Sequence, residues 1–430
     1  MTRKYLSRII DKELEKYLEA FGAVLIIGPK WCGKTTSGEQ KAKSILKLQD
    51  PDKSAGYLAT AENKPSLLLI GDNPRLIDEW QMAPVLWDAI RTSVDNRNEE
   101  GLYILTGSTT IDDSLISHTG TGRIARLKMY PMSLYESAES NGKVSLEQLF
   151  NNHEYNIDGK QSDLSLENLI FAACRGGWPS SLGLKNDSAK LLISKAYIDN
   201  IIESDVSTVD GKSKDPQKVR YLLRSYARNI ATQATNKTII DDINANINLS
   251  ESLYYEYIKA LTRLFVIEDV PAWNPNIISK TVIRSLNKKM FIDPSIAVAS
   301  LDSSPNILMN DFNTFGFIFE NLCTRDLKVY ASALGGQISY YRDRLGLEVD
   351  AVLHLRDERY ALIEFKLGSK QIDEGASHLL EVVRLIKESN LNNKNSKIKE
   401  PALLMIITGE GMAYTRNDGV KIIPIGCLKD

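Results

Sequence analysis

Ala23-Val-Leu-Ile-Ile-Gly-Pro-Lys-Trp-Cys-Gly-Lys-Thr-Thr36 is the stretch on which the fold turns. Ala23–Gly28 is a continuous apolar run ended by Gly-Pro. Runs of this kind form strands buried on both faces of a parallel sheet. Gly28 to Thr35 then matches GxxxxGK[ST] at every fixed position, straight after that strand and at the start of a helix expected from Lys34 to about Leu46. Gly28 and Gly33 let the backbone curl, so that loop N–H groups and the helix N-terminus point at phosphate oxygens. Lys34 reaches the β- and γ-phosphates, and the Thr35 hydroxyl ligates Mg²⁺. The expected nucleotide set is Gly28, Pro29, Lys30, Trp31, Cys32, Gly33, Lys34, Thr35 and Thr36, with ATP and Mg as ligands. Cys32 beside a helix N-terminus is open to a lowered pKa and oxidation, but simple packing is the preferred reading.

Such a site needs a second metal carboxylate, and two runs end in one. Leu67–Asp72 (LLLIGD) is apolar and ends in Asp. Pro74–Gln81 (PRLIDEWQ) has a shorter apolar run ending in Asp78-Glu79. Asn63-Lys-Pro-Ser66 resembles a helix start, which would make LLLI helical. The Asp-Glu pair also suits the chemistry better. Asp78 would hold Mg²⁺ through water, and Glu79 would polarise the attacking water as general base. Tyr103–Ser108 (YILTGS) reads as a strand whose Thr106 could sit between the γ-phosphate and that water. Arg123, in Gly120-Thr-Gly-Arg123 ahead of the strand IARLKM, is either a surface arginine or a finger reaching a neighbouring subunit's nucleotide.

The chain has 430 residues, 43% hydrophobic and 25% charged, which is ordinary for a globular protein and excludes a disordered or collagen-like chain. At roughly 100–200 residues per domain it holds about two to four domains. The 53 basic and 55 acidic residues nearly cancel, so a nucleic-acid site would have to be a local patch. Cys32, Cys174, Cys323 and Cys427 lie far apart with no metal spacing, as in a reducing cytoplasmic protein. The charged N-terminal pattern lacks the features of a signal peptide, and no apolar run is long enough to span a membrane.

Strand–helix alternation over residues 1–165 predicts an α/β ATPase domain with a mostly parallel sheet. Residues 137–165 read as polar and loop-like. A helical linker or lid is expected over 166–212 and a winged-helix-like module over 213–285, from TIIDDINANI, SESLYYEYIKALTRL and the strand-like FVIEDVPAW. In that module the Ser250–Leu264 helix carries Tyr254, Tyr255, Tyr257, Lys259 and Arg263. The tyrosines suit packing better than base stacking, and two basic residues make a thin DNA footprint. Arg224 and Arg228 could instead contact the ATPase domain.

Residues 286–430 form a second α/β unit. A helix (Thr314–Leu327) precedes the alternating runs Leu347–Leu355 and Tyr360–Leu367, then a long helix and two more strands. Asp350, Glu364 and Lys366 stand as Asp-x13-Glu-x-Lys. Residues two apart on a strand share a face, so Glu364 and Lys366 do, and a hairpin brings Asp350 alongside. Two carboxylates and a lysine are the parts of a PD-(D/E)xK nuclease site, with Glu320 on the preceding helix as a possible fourth group. The expectation is a restriction-endonuclease-like fold. An ion-paired solvated hairpin is the simpler alternative.

The segments YLSRIIDKELEKYLEAFGAVLIIGPKWCGKT, PRLIDEWQMAPVLWDAIRTSVD, ILTGS, GRIARLKMYPMSLYES and RGGWP resemble the AAA+-type P-loop ATPases of bacteria and archaea fused to a C-terminal DUF4143 domain. RSYARNIAT (Arg224–Thr232) and FIDPSIAVASL (Phe291–Leu301) are similar to the DUF4143 part. The resemblance implies that Asp78-Glu79 is the Walker B pair. The resulting expectation is a Mg-dependent ATPase whose nuclease-like C-terminal domain follows the nucleotide state. The alternatives are an ATP-switched DNA or RNA nuclease and a nucleotide-ordered protein-binding module. Nucleic acid (DNA before RNA), a protein partner and a second copy of the chain are the candidate partners.

Overall fold

A computed structural model describes residues 5–107, 119–273, 286–392 and 397–430. It divides into two units, Met1–Pro131 with Ala260–Phe265, and Met132–Lys259 with Val266–Asp430. In the first, β1 (Ala23–Ile27), β2 (Ser44–Lys47), β3 (Arg75–Asp78), β4 (Tyr103–Gly107) and β5 (Ile124–Lys128) form one sheet of order β2-β3-β4-β1-β5. Every pairing is parallel. Val24 and Ile26 of β1 pack with Leu76, Ile104 and Leu127 on one face, while Leu25 packs with Ile77, Leu105 and Trp87 on the other. A parallel sheet is stable only with both faces covered, and burying each such Leu or Ile contributes ~1.5–3 kcal/mol. The pairs Ile27↔Gly107 and Asp78↔Thr106 set the carboxyl ends of β1, β3 and β4 at one edge, where ligands bind in open α/β sheets.

Two local expectations change in this unit. The helix from Lys34 stops at Lys41, and Ser44–Lys47 becomes the edge strand β2. Lys43 N–H donates to Pro74 O at 2.8 Å, so pairing along β3 outweighs continued helix. Pro65–Leu69 is a 3₁₀ turn and β3 is Arg75–Asp78, so the PRLIDEWQ run supplies the strand.

The second unit opens with β6 (Val144–Ser145), the helix Leu146–Asn151 and β7 (Lys160–Gln161) within the stretch expected to be loop. Helices Leu166–Arg175, Asp187–Asn200, Pro216–Arg228 and Asn236–Asn244 follow. FVIEDVPAW makes no continuous strand; it forms the single antiparallel bridges Ile267↔Phe291 and Val270↔Lys288, and Ala272↔Tyr340 in parallel. After the long helix Phe312–Ala333 come β8 (Gln337–Arg342), β9 (Glu348–His354), β10 (Tyr360–Lys366), the helix Ile372–Asn392, β11 (Leu403–Thr408), β12 (Met412–Thr415), β13 (Lys421–Pro424) and β14 (Leu428–Lys429). The sheet order is β7-β12-β13-β11-β10-β9-β8, and β14 pairs with β6. β7 and β6 thus tie residues of the 1–165 stretch to the C-terminal strands.

The quoted motifs of this unit are joined by buried polar bonds. Gly177 N–H donates to Asp293 Oδ2 at 2.9 Å, Trp178 Nε1 to Ser295 Oγ at 3.0 Å, and Leu134 N–H to Asp326 Oδ2 at 2.9 Å. Arg325 binds both Asp293 (3.0 Å) and Asp326 (2.7 Å). Gly176 has φ 76°, and a Cβ there would stand 2.3 Å from Ser295 Oγ. RGGWP, FIDPS and the MSLYES segment therefore lock the unit together.

Candidate nucleotide site and C-terminal carboxylate cluster

The loop after β1 carries its two glycines in the left-handed region. Gly28 has φ 148°, and a Cβ there would lie 2.1 Å from Met129 O. Gly33, at φ 107°, opens the helix Lys34–Lys41. Lys34 is buried, and its ammonium donates to Gly28 O at 2.9 Å and Pro29 O at 2.7 Å. Between the glycines, Trp31 is 47% exposed while Cys32 is fully buried. Burial shields the Cys32 thiol from oxidants. Lys30 lies on the loop, and Thr36 is exposed one residue after Thr35.

Asp78, at the end of β3, is 1% exposed and is the hub of the site. Its Oδ1 accepts the Thr35 hydroxyl at 2.7 Å and the Thr106 hydroxyl at 2.5 Å, and its Oδ2 accepts Gln49 Nε2 at 3.3 Å. A carboxylate beside a P-loop hydroxyl is a hard oxygen donor set, which suits Mg²⁺. Thr106 is buried, and its hydroxyl is bonded to Asp78. Glu79 follows with φ 55° and accepts a hydrogen bond from Gln81 Nε2.

Arg123 stands at the other end of the sheet. Ala23 N–H, at the start of β1, donates to Arg123 O at 3.0 Å. Its side chain is half exposed and pairs with Asp95 at 2.7 Å, holding the Asp95 carboxyl below the usual range. The structure does not bring Arg123 to the P-loop of its own chain.

The four nuclease-type residues do converge. Ala351↔Ile363 is the last pair of the β9–β10 hairpin, and just beyond it Asp350 Oδ2 accepts the Phe365 N–H at 2.9 Å. Glu364 and Lys366 share a face and pair at 2.9 Å. At the centre lies a residue that the motif reading missed. Lys288, 1% exposed, places its ammonium 2.6 Å from Glu320, 2.9 Å from Glu348 and 3.8 Å from Asp350. Glu348 lies two residues before Asp350, so strand alternation alone could have added it. Nothing local in the sequence marks Lys288, which reaches the cluster through its bridge to Val270.

Burial raises the carboxyls of Glu320 and Glu364 to about 8 each, against the opposing pull of Lys288 and Lys366. Burial alone would lower the Lys288 and Lys366 ammoniums; the facing carboxylates outweigh it and raise both. Among the described residues no group of three or more His, Cys, Asp or Glu side chains is disposed to hold a metal ion. The cluster as it stands is balanced by lysine, and no metal step follows from it.

The tyrosines of helix Glu251–Arg263 divide by role. Tyr254 is buried and donates to Asn236 Oδ1 at 2.9 Å; Tyr257 is buried and accepts Asp215 N–H at 3.0 Å; Tyr255 is exposed. Two of the three are core. Arg224 and Arg228 lie within loose pairing distance, 3.8 Å, of Asp302 and Asp242.

Residues 20–138 match the family described as AAA domain, and 315–428 match the domain of unknown function DUF4143. The chain therefore joins a P-loop ATPase domain to a C-terminal DUF4143 domain. Between them, residues 166–306 match a second domain of unknown function, DUF8612. Arg224–Thr232 and Phe291–Leu301, read above with DUF4143, fall inside that middle match. The Walker-type ATPase of Pyrococcus abyssi is similar at 14% identity over 70% of this chain and 99% of its own, with a TM-score of 0.41. Drosophila ORC bound to DNA is similar at 10% identity over 68% of this chain and 92% of its own, with a TM-score of 0.23. Neither superposition is close enough to carry a functional argument. No curated protein matches the chain. Among the described residues no helix is long and apolar enough to cross a membrane.

Proposed function

We propose that the protein is a Mg-dependent ATPase of AAA+ type whose nuclease-like C-terminal part responds to nucleotide state. The supporting observation is the hydrogen-bonded chain Thr35–Asp78–Thr106 (2.7 and 2.5 Å) beside the P-loop, with Glu79 next in sequence. Lys34 exchanges its two loop carbonyls for β- and γ-phosphate oxygens. Thr35 and Asp78 would hold Mg²⁺, which would supply positive charge against the charge that develops on the phosphates. Glu79 accepts the proton of the attacking water. Arg123, remote from its own P-loop, would act only on a second copy of the chain. In the full chain Glu79→Gln should keep binding of a fluorescent ATP analogue and lose turnover by about 10²–10⁴-fold. Unchanged turnover would remove Glu79 as the base.

A second reading, an ATP-switched nuclease acting on DNA ahead of RNA, draws on the convergence of Glu320, Asp350, Glu364 and Lys366. Its test is divalent-dependent cutting of DNA and RNA by wild type and by Asp350→Ala. Cutting that survives the substitution removes the cluster from the chemistry. A cytoplasmic setting, a homo-oligomer and a protein partner complete the proposal; four free, buried cysteines fit a reducing compartment.

A further inference from the structure

Gln81 lies two residues beyond Glu79, in the short 3₁₀ segment Trp80–Met82. Its side-chain nitrogen donates to Glu79 Oε2. Only the amide nitrogen can donate to a carboxylate, so this bond fixes which way the amide points. The other end, Gln81 Oε1, is buried and has no hydrogen-bond partner among the described residues. Such an atom loses water without compensation, which disfavours the conformation unless something occupies it in the working state. The oxygen points to the carboxyl edge of β4: a Cβ at Gly107 would stand 2.9 Å from it, and Trp80 Nε1 flanks the same spot at 3.3 Å. Gly107 follows Thr106, and Thr106 pairs with Asp78 across the sheet. The orphaned oxygen thus sits beside the Asp78–Glu79 pair, at the strand edge where ligands collect.

We infer that Gln81 orients both the general base and the attacking water: its amide nitrogen fixes the Glu79 carboxylate and its amide oxygen accepts one hydrogen of the water. The inference rests on the ATPase reading above. In the step, the water oxygen forms a bond to the γ-phosphorus as the bridging P–O bond breaks and ADP leaves with that electron pair. One water proton passes to Glu79. The other stays on the transferred oxygen, held by Gln81 Oε1. Neither the nitrogen nor the oxygen of this amide can be replaced by an apolar side chain of the same size.

The test is steady-state ATP hydrolysis by full-length Gln81→Ala, Gln81→Glu and Glu79→Gln, with kcat and KM separated and the affinity of a fluorescent ATP analogue measured on each. Gln81→Ala should lower kcat by roughly ten- to hundredfold, with KM and analogue affinity unchanged. Gln81→Glu keeps the side-chain size and an oxygen but loses the N–H that donates to Glu79, and should likewise lower kcat. An unchanged kcat in Gln81→Ala or in Gln81→Glu, or a loss of analogue affinity equal to the loss of kcat, overturns the role of Gln81. Glu79→Gln separates the two levels. If it hydrolyses ATP like wild type, the base assignment itself fails; if it is inactive while Gln81→Ala is normal, only the Gln81 role fails.

Discussion

The Lys288 ammonium lies 2.6 Å from Glu320 Oε1, with the lysine side chain 1% exposed. It also faces Glu348 and Asp350. One lysine from the segment before helix Pro294–Ser300 thus faces a carboxyl group on the helix Phe312–Ala333 and two on β9. Lys288→Ala should destabilise the second unit by about 3–5 kcal/mol, the usual cost of leaving a buried charge without its partner. Adding Glu348→Gln should recover part of that loss, because it removes one of the carboxylates that Lys288 faces. Denaturant unfolding of wild type, both single variants and the double variant measures the coupling. Strict additivity would contradict the pairing.

The same cluster sets a pH dependence. Burial raises the Glu320 and Glu364 carboxyls to about 8. Unfolded, both release their protons near the usual glutamate value, about 4.3. Between these limits the folded state binds more protons than the unfolded one. Their contribution is therefore complete below the unfolded pKa and is lost as pH rises towards 8, by about 1.4 kcal/mol per pH unit for each proton retained. The denaturant midpoint of the second unit should fall from pH 5 to pH 8, and Glu320→Gln should flatten the slope. A midpoint that rises with pH across this window contradicts the assignment.

Thr106 offers a third test. Its hydroxyl is bonded to Asp78, so Thr106→Val leaves the Thr35 and Gln49 bonds to that carboxylate in place. Thr106→Val should weaken Mg²⁺ binding, seen as a higher Mg²⁺ concentration for half-maximal turnover, with kcat at saturating Mg²⁺ reduced far less than in Glu79→Gln. A Thr106→Val variant as inactive as Glu79→Gln would return Thr106 to the attacking water.

The P-loop was legible from sequence because its chemistry is contiguous: strand, two glycines, Lys34 and Thr35 lie within thirteen residues, from Ala23 to Thr35. The hairpin placing Asp350 beside Glu364 was legible for a similar reason, since strand alternation and one turn fix it. What escaped depends on pairing between distant segments. β2 was absorbed into a helix because its strand character comes from β3, not from Ser-Ile-Leu-Lys itself. β7 was read as loop because two residues become a strand only against β12. Lys288 was invisible because its partners lie 32, 60 and 62 residues away, on a helix and a strand. Gln81 stands in the quoted PRLIDEWQ run, but only the fold bonds one end of its amide to Glu79 and leaves the other without a partner among the described residues.

The most direct measurement is phosphate release from ATP by the purified full chain and by Lys34→Ala, each with Mg²⁺ and with excess EDTA, with and without DNA. The account predicts turnover in wild type with Mg²⁺ alone or with DNA, and none in Lys34→Ala or in EDTA. Turnover that persists in Lys34→Ala, or that is indifferent to EDTA, would contradict hydrolysis at the Gly28–Thr35 loop.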